Sequence, residues 1–184
     1  MAWLPHEAAG LTFIGLEMGE VAKFLPQVRT GAILPGRSLF YVPPITLALM
    51  LVLLSSRWPN ERWQTWALRA LALAISLLAF PAFEAIGAEA AEWLWRLLMI
   101  ALVFVVTLVL SVARRPGRTA WSLLAATALA GAVLPTWVYL AVRDAFDALL
   151  PQPVGIGPGV WLNLAGHLLA FAAAVAEMRT GRTS

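Results

Sequence analysis

Long uninterrupted apolar runs constrain this chain more than any other feature of its 184 residues. Gln64 to Phe83, Trp93 to Ala113, Thr119 to Val142 and Pro158 to Met178 each approach or exceed the roughly 20 helical residues that cover a ~30 Å hydrocarbon layer. A fifth run, Leu39 to Ser56, precedes them. Its helix should start at Pro43 or Pro44, because proline suits a first helical turn and keeps the residue before it extended. The pattern predicts an all-α integral membrane protein, a bundle of five transmembrane helices over residues 39–184 behind an N-terminal segment, residues 1–38.

Composition agrees. Hydrophobic residues make up 61% of the chain and charged residues 12%, against about 25% charged in an average soluble domain. So few charges do not cover so much apolar surface in water, whereas lipid solvates it directly. A net charge of +3 raises the question of nucleic acid. The basic residues, however, cluster at the ends of apolar runs instead of forming a stripe, so no nucleic-acid partner is expected. With no cysteine, disulfides, thiolate metal sites, iron-sulfur clusters and covalent c-type haem are excluded. Met1 to Gly10 lacks the basic start and cleavage site of a signal peptide, so insertion should rely on internal spans.

The arginines suggest an orientation. Arg57, Arg62 and Arg69 follow the first run, Arg114, Arg115 and Arg118 join the third and fourth, and Arg179 and Arg182 follow the fifth. The alternate loops carry Glu84, Glu89 and Glu92, or Arg143 with Asp144 and Asp147. By the positive-inside rule the C-terminus is cytoplasmic and the first span begins outside. Trp58, Trp63, Trp66 and Trp121 fall at the inner ends of runs, and Tyr41, Trp93, Trp95, Trp137, Tyr139 and Trp161 at the outer ends. That is the distribution expected of two interfacial belts.

Residues 1–38 admit more than one reading. Ala8 to Leu25 is apolar enough to suggest a sixth span, but Glu17, Glu20 and Lys23 would each cost ~2.5 to 3.5 kcal/mol near a span's centre. Their three-residue recurrence fits the polar face of an outer surface helix, with Phe13, Ile14, Val21 and Leu25 opposite. A re-entrant segment that supplements a short first span is the further possibility.

No nucleophile elbow, zinc-protease, phosphate-loop or dinucleotide motif is present. Asp144 and Asp147 form the one carboxylate pair at similar depth, and they read as solvated charges at a span end. The chain is therefore not expected to be an enzyme, and no cofactor or metal is indicated. The sharpest polar feature is Asn163 with His167, four apart on one helix face. An intramembrane histidine is a candidate proton relay, axial ligand or substrate group. The preferred alternative is that Asn163, His167 and a Thr or Ser of a neighbouring span hydrogen-bond helices together. Glu17 and Glu20 are the other candidates for such a polar site. Arg69 and Arg96 each lie about one turn inside a span, and snorkelling to the nearest surface is expected of both, with Glu92 the partner of Arg96.

Small residues at four-residue spacing let helices approach closely in lipid. Ser122, Ala126 and Ala130, then Thr127 and Gly131, and Gly166, Ala170 and Ala174 mark the fourth and fifth spans as facing protein, and leave the Leu- and Val-rich second and third for lipid or partner chains. Pro135 should kink the fourth span and free a backbone carbonyl that Thr136 or a neighbour satisfies. The functional expectation is a non-catalytic membrane subunit or scaffold that associates with lipid and with other membrane chains or itself. The alternative is a small oligomeric transporter or ion-conducting protein with a polar site around His167.

Overall fold

The computed structural model describes residues 2–6, 11–31, 37–81, 90–112, 117–148 and 155–180. Glu84, Glu89, the turn containing Arg114 to Pro116, the stretch 151–154, Arg182 and the side chains of His6 and Glu92 lie outside the description. The protein is predominantly helical, and four helices, Ser38–Ser55, Trp93–Val112, Gly117–Asp147 and Pro158–Thr180, are long and apolar enough to cross a membrane. A fifth apolar helix, Trp63–Ala79, is shorter.

In chain order the elements are strands β1 (Ala2–His6) and β2 (Leu11–Ile14), then helices α1 (Gly15–Val21), α2 (Pro26–Arg29), α3 (Val42–Ser55), α4 (Trp63–Ser76), α5 (Ala90–Val112), α6 (Gly117–Asp147) and α7 (Pro158–Thr180). They form two compact units, Met1–Pro43 with Gly131–Gly166 and Pro44–Ala130 with His167–Ser184. Helices α6 and α7 each contribute to both.

The first unit departs from the single surface helix expected over Ala8 to Leu25. β1 and β2 pair antiparallel, since the run Leu11, Thr12, Phe13 and Ile14 is rich in β-branched and aromatic residues that favour a pleated strand. Helix begins only at Gly15, and extended Leu25 followed by Pro26 in a first turn starts α2 anew. Within α1 the expected sidedness partly survives. Glu17 is exposed, and Met18, Ala22 and Leu25 turn inward to join Phe40, Val138, Tyr139, Val142, Ala145, Phe146 and Val160 in an apolar core. The α6 contribution repeats at the spacing of an amphipathic helix, and Arg143, Asp144 and Asp147 lie off that stripe.

In the second unit, α4 and α5 bury polar and small residues beside apolar ones. Helix α4 buries Thr65, Arg69, Ala72 and Ser76, one inward position per turn, while Trp63, Trp66 and Leu71 are exposed on it. Helix α5 likewise buries Arg96, Ile100, Val103 and Thr107 and exposes Leu94, Trp95, Leu98, Leu102, Val105 and Leu108. Polar and small groups inward with bulky apolar groups outward is the arrangement of a helix solvated by acyl chains. Met50 and Leu53 of α3 pack with Ala120, Leu124, Ala125 and Ala128 of α6 and Ala174 of α7. Helix α3 starts as expected, with Pro43 and Pro44 in its first turn.

Candidate functional site

Within the second unit, His167 of α7 is buried, 6% exposed, and its Nε2 lies 3.0 Å from Oγ1 of the buried Thr46 on α3. The pairing of this histidine with a threonine of a neighbouring span is the helix-bonding arrangement anticipated for it. A hydroxyl suits either ring state, since it donates to a bare Nε2 and accepts from a protonated one. The same contact engages the nitrogen that an axial-ligand role would use.

Asn163 sits one turn earlier on α7, in the first unit, and its Nδ2 donates to the carbonyl of Gly131 at 3.0 Å. Gly131 is four residues before Pro135, which lies inside α6. Proline has no N–H to give that carbonyl, so Asn163 supplies the missing donor. Thr136 donates instead to Ala132 at 2.7 Å. An unpaired buried amide group costs on the order of 1–3 kcal/mol, and this defines what Asn163 does for the fold.

Glu17 and Glu20 also belong to the first unit. Tyr41 Oη donates to Glu20 Oε1 at 2.5 Å, and Lys23 Nζ stands 3.5 Å from Oε2. Close approach of α1 permits the tyrosine contact, because a Cβ on Gly19 would lie 2.8 Å from the Tyr41 ring. The two tyrosines assigned to the outer belt are thus core residues. Tyr41 is buried beside Glu20, and Tyr139 is buried with its hydroxyl donating to the Gly155 carbonyl at 2.9 Å. Each buries its ring and gives its polar tip a partner. Arg143 and Asp147 form an ion pair of 3.8 Å, and Asp144 is exposed, in keeping with their reading as solvated charges.

Sequence reasoning missed the most extensive polar cluster. Arg69 does not snorkel; it is 2% exposed and faces into the second unit. Its Nε donates to Ser55 Oγ at 3.2 Å, Nη1 to Ser111 Oγ at 3.1 Å and Nη2 to the Leu110 carbonyl at 3.0 Å. Both serine hydroxyls spend their proton within their own helices, on Val52 and Thr107, which leaves lone pairs for the guanidinium. Asn60 donates to the neighbouring Ser111 carbonyl at 2.8 Å, and the Trp66 indole donates to the Asn60 carbonyl and covers the cation at 5.1 Å.

Ser55 ends α3, and Leu110 and Ser111 lie in the last turn of α5. Arg69 therefore ties α4 to the ends of both helices and donates to one terminal carbonyl, that of Leu110, where the partial negative charge of a helix C-terminus favours a cation. Serines at the ends of two apolar runs, with an arginine one turn into a third, are the signal that would have revealed it. Arg96 is buried as well, in place of the expected position at the surface.

The helix-packing residues divide. Gly131 is buried, Ala130 and Ala170 are half-buried, and Ala126 and Gly166 are exposed; a Cβ on Gly166 would meet open space. The ridge of α6 that packs is Ala120, Leu124, Ala125 and Ala128. Alanines occur on several faces of α6, so four-residue spacing of small residues did not select the buried one. Among the described residues no group of three or more His, Cys, Asp or Glu side chains is placed to hold a metal. Comparison with protein-family models, curated proteins and solved structures finds no match.

Proposed function

We propose that this chain is a non-catalytic subunit or scaffold of a membrane assembly, crossing the bilayer five times with its C-terminus in the cytoplasm. The observation that carries the reading is the use made of its deepest polar groups. Arg69 joins α4 to α3 and α5, Asn163 satisfies the carbonyl that Pro135 frees, and His167 bonds Thr46. Each has a bonding role within the fold. The exposed Ala126 and Gly166 supply small-residue surface of the kind that admits another helix closely.

Five crossings count Trp63–Ala79 as a span, which its outward Leu71, Leu77 and Leu78 support. The 3.7 Å ion pair of Arg57 with Glu177 supports placing the loop after α3 and the end of α7 on one side, and the arginines near both support that side being the cytoplasm. Extraction of the tagged chain from its native membrane in mild detergent, followed by mass measurement, tests the reading. Other chains at fixed stoichiometry are the expected result, and a chain recovered alone or only with copies of itself contradicts it.

One observation favours a second reading, a small oligomeric transporter or ion-conducting protein. The His167 and Thr46 contact survives ring protonation by reversal of the hydroxyl, which suits proton passage. Under that reading a self-oligomer carries a flux in vesicles that His167→Ala and Thr46→Val both reduce. Flux unaffected by either substitution removes His167 from consideration.

A further inference from the structure

Hydrogen bonds gather five helix ends of the second unit at one level. Asn60, in the turn between α3 and α4, donates to the Ser111 carbonyl near the end of α5. Arg57 of the same turn pairs with Glu177 in the last turn of α7. Ser122, bonded at 3.3 Å to the carbonyl of Arg118 in the first turn of α6, stands 3.2 Å from Met178 Sδ. Among the described residues of this unit, every exposed charge lies at that end.

The sign is uneven. Arg57, Arg62, Arg118 and Arg179 are exposed there, and the facing carboxylates are Glu61 and Glu177. Glu177 is already engaged by Arg57, while Arg62, Arg118 and Arg179 take part in no ion pair among the described residues. Buried Arg69 adds a further positive charge just beneath. All of these cations are arginines, whose planar fork pairs with a phosphate through two hydrogen bonds.

The surroundings of the surplus are apolar. Trp63, beside Arg62, is 73% exposed, Trp66 is exposed one turn further along α4, and Leu71 and Leu108 are exposed on α4 and α5. Indole favours the headgroup level, and the leucines offer a surface to acyl chains. A ligand that uses both the arginines and this surface carries an anion and a hydrocarbon tail together.

We propose that this end of the second unit binds acidic phospholipids, with Arg62, Arg118 and Arg179 meeting their phosphates. A zwitterionic headgroup brings its own ammonium and leaves the surplus standing. Acidic lipids are also what gives the cytoplasmic leaflet its negative surface potential, on the side proposed above for this end. The inference rests on the helices lying in a bilayer and holds equally for a subunit and for a transporter.

The full chain is reconstituted in phosphatidylcholine vesicles with traces of spin-labelled phosphatidylglycerol or phosphatidylcholine, and the immobilised fraction of each label is read. Phosphatidylglycerol should be enriched at the protein about fivefold over phosphatidylcholine, the gain from roughly one arginine per headgroup. In the triple variant Arg62→Gln, Arg118→Gln, Arg179→Gln that preference should nearly vanish, with an unchanged unfolding midpoint because the side chains are exposed and unpaired. Molar salt should shrink the preference in the unsubstituted chain as well. Immobilised lipid without selectivity, a preference that the triple variant keeps, or one that inorganic phosphate abolishes at constant ionic strength overturns the proposal, the first leaving the arginines to an acidic protein segment. Immobilisation of neither label contradicts the membrane reading along with it.

Discussion

The two units of this chain both bury apolar cores but differ in where the buried polar side chains lie. In the unit formed by Met1–Pro43 and Gly131–Gly166, the core is Met18, Phe40, Val138, Tyr139, Phe146 and their neighbours, while Glu17, Arg29 and Asp144 are exposed. The buried polar side chains of the described residues, Thr46, Ser55, Thr65, Arg69, Ser76, Arg96, Thr107 and His167, all fall in the other unit, while both units expose large apolar residues, Trp137 and Leu162 in the first and Leu71 and Leu108 in the second. Burial out of lipid provides little drive, so hydrogen bonds and close contacts take a larger share in holding membrane helices together, and the buried polar side chains of the second unit supply them.

Substitutions can break this contrast. Phe40→Ala deletes a large apolar core residue of the first unit and should cost about 4 kcal/mol, read as a lowered unfolding midpoint. Arg69→Ala removes three charge-assisted hydrogen bonds that join α4 to α3 and α5 in the second unit. About 3 kcal/mol is expected, and Arg69→Lys should recover only part of it, since an ammonium lacks the planar fork that reaches Ser55, Ser111 and Leu110 together. A loss below about 0.5 kcal/mol for Arg69→Ala would show that the cluster does not hold α3, α4 and α5 together.

Charge placed outward sharpens the contrast further. Leu108→Arg on α5 should lower membrane insertion by about 3 kcal/mol on the insertion scale, whereas Asp144→Arg on exposed α6 should change stability by less than about 0.5 kcal/mol. An intermediate effect isolates one carbonyl. Asn163→Leu should cost about 1.5 kcal/mol by stranding the Gly131 oxygen. Most of that loss should vanish in a Pro135→Ala background, where the helix provides its own N–H. A double-mutant cycle with no coupling would reject the pairing of Asn163 with the proline's missing donor.

Legibility in the sequence followed the same division. Lipid imposes length and backbone satisfaction on a span, so four of the apolar runs and the proline start of α3 could be read directly. Pro135 announced a freed carbonyl, and His167 a need for a partner, because both demands are local. What answered each demand was not local. Asn163 on another helix met the first, and Thr46, more than a hundred residues away, met the second. Arg69 misled because a long cation near a span end can snorkel or turn inward, and the choice depends on serines at the ends of α3 and α5. Tyr41 and Tyr139 misled because an amphipathic ring suits an interface and a core equally well. In the N-terminal segment the three-residue charge spacing suggested one longer helix, whereas α1 ends at Val21, before Lys23. The strand pairing of Leu11–Ile14 depends on Ala2–His6 and carries no helical period.

Since the chain has no cysteine, single cysteines report solvent without background. The decisive measurement is the rate at which a membrane-impermeant maleimide labels Glu17→Cys, Asp144→Cys, Leu71→Cys and Leu108→Cys in sealed membranes opened briefly on both sides. Fast labelling at residues 17 and 144, with residues 71 and 108 unlabelled until detergent is added, is the result required if the exposed charges face water and the exposed leucines of α4 and α5 face acyl chains. Labelling of Leu108→Cys as fast as Asp144→Cys before detergent would contradict it.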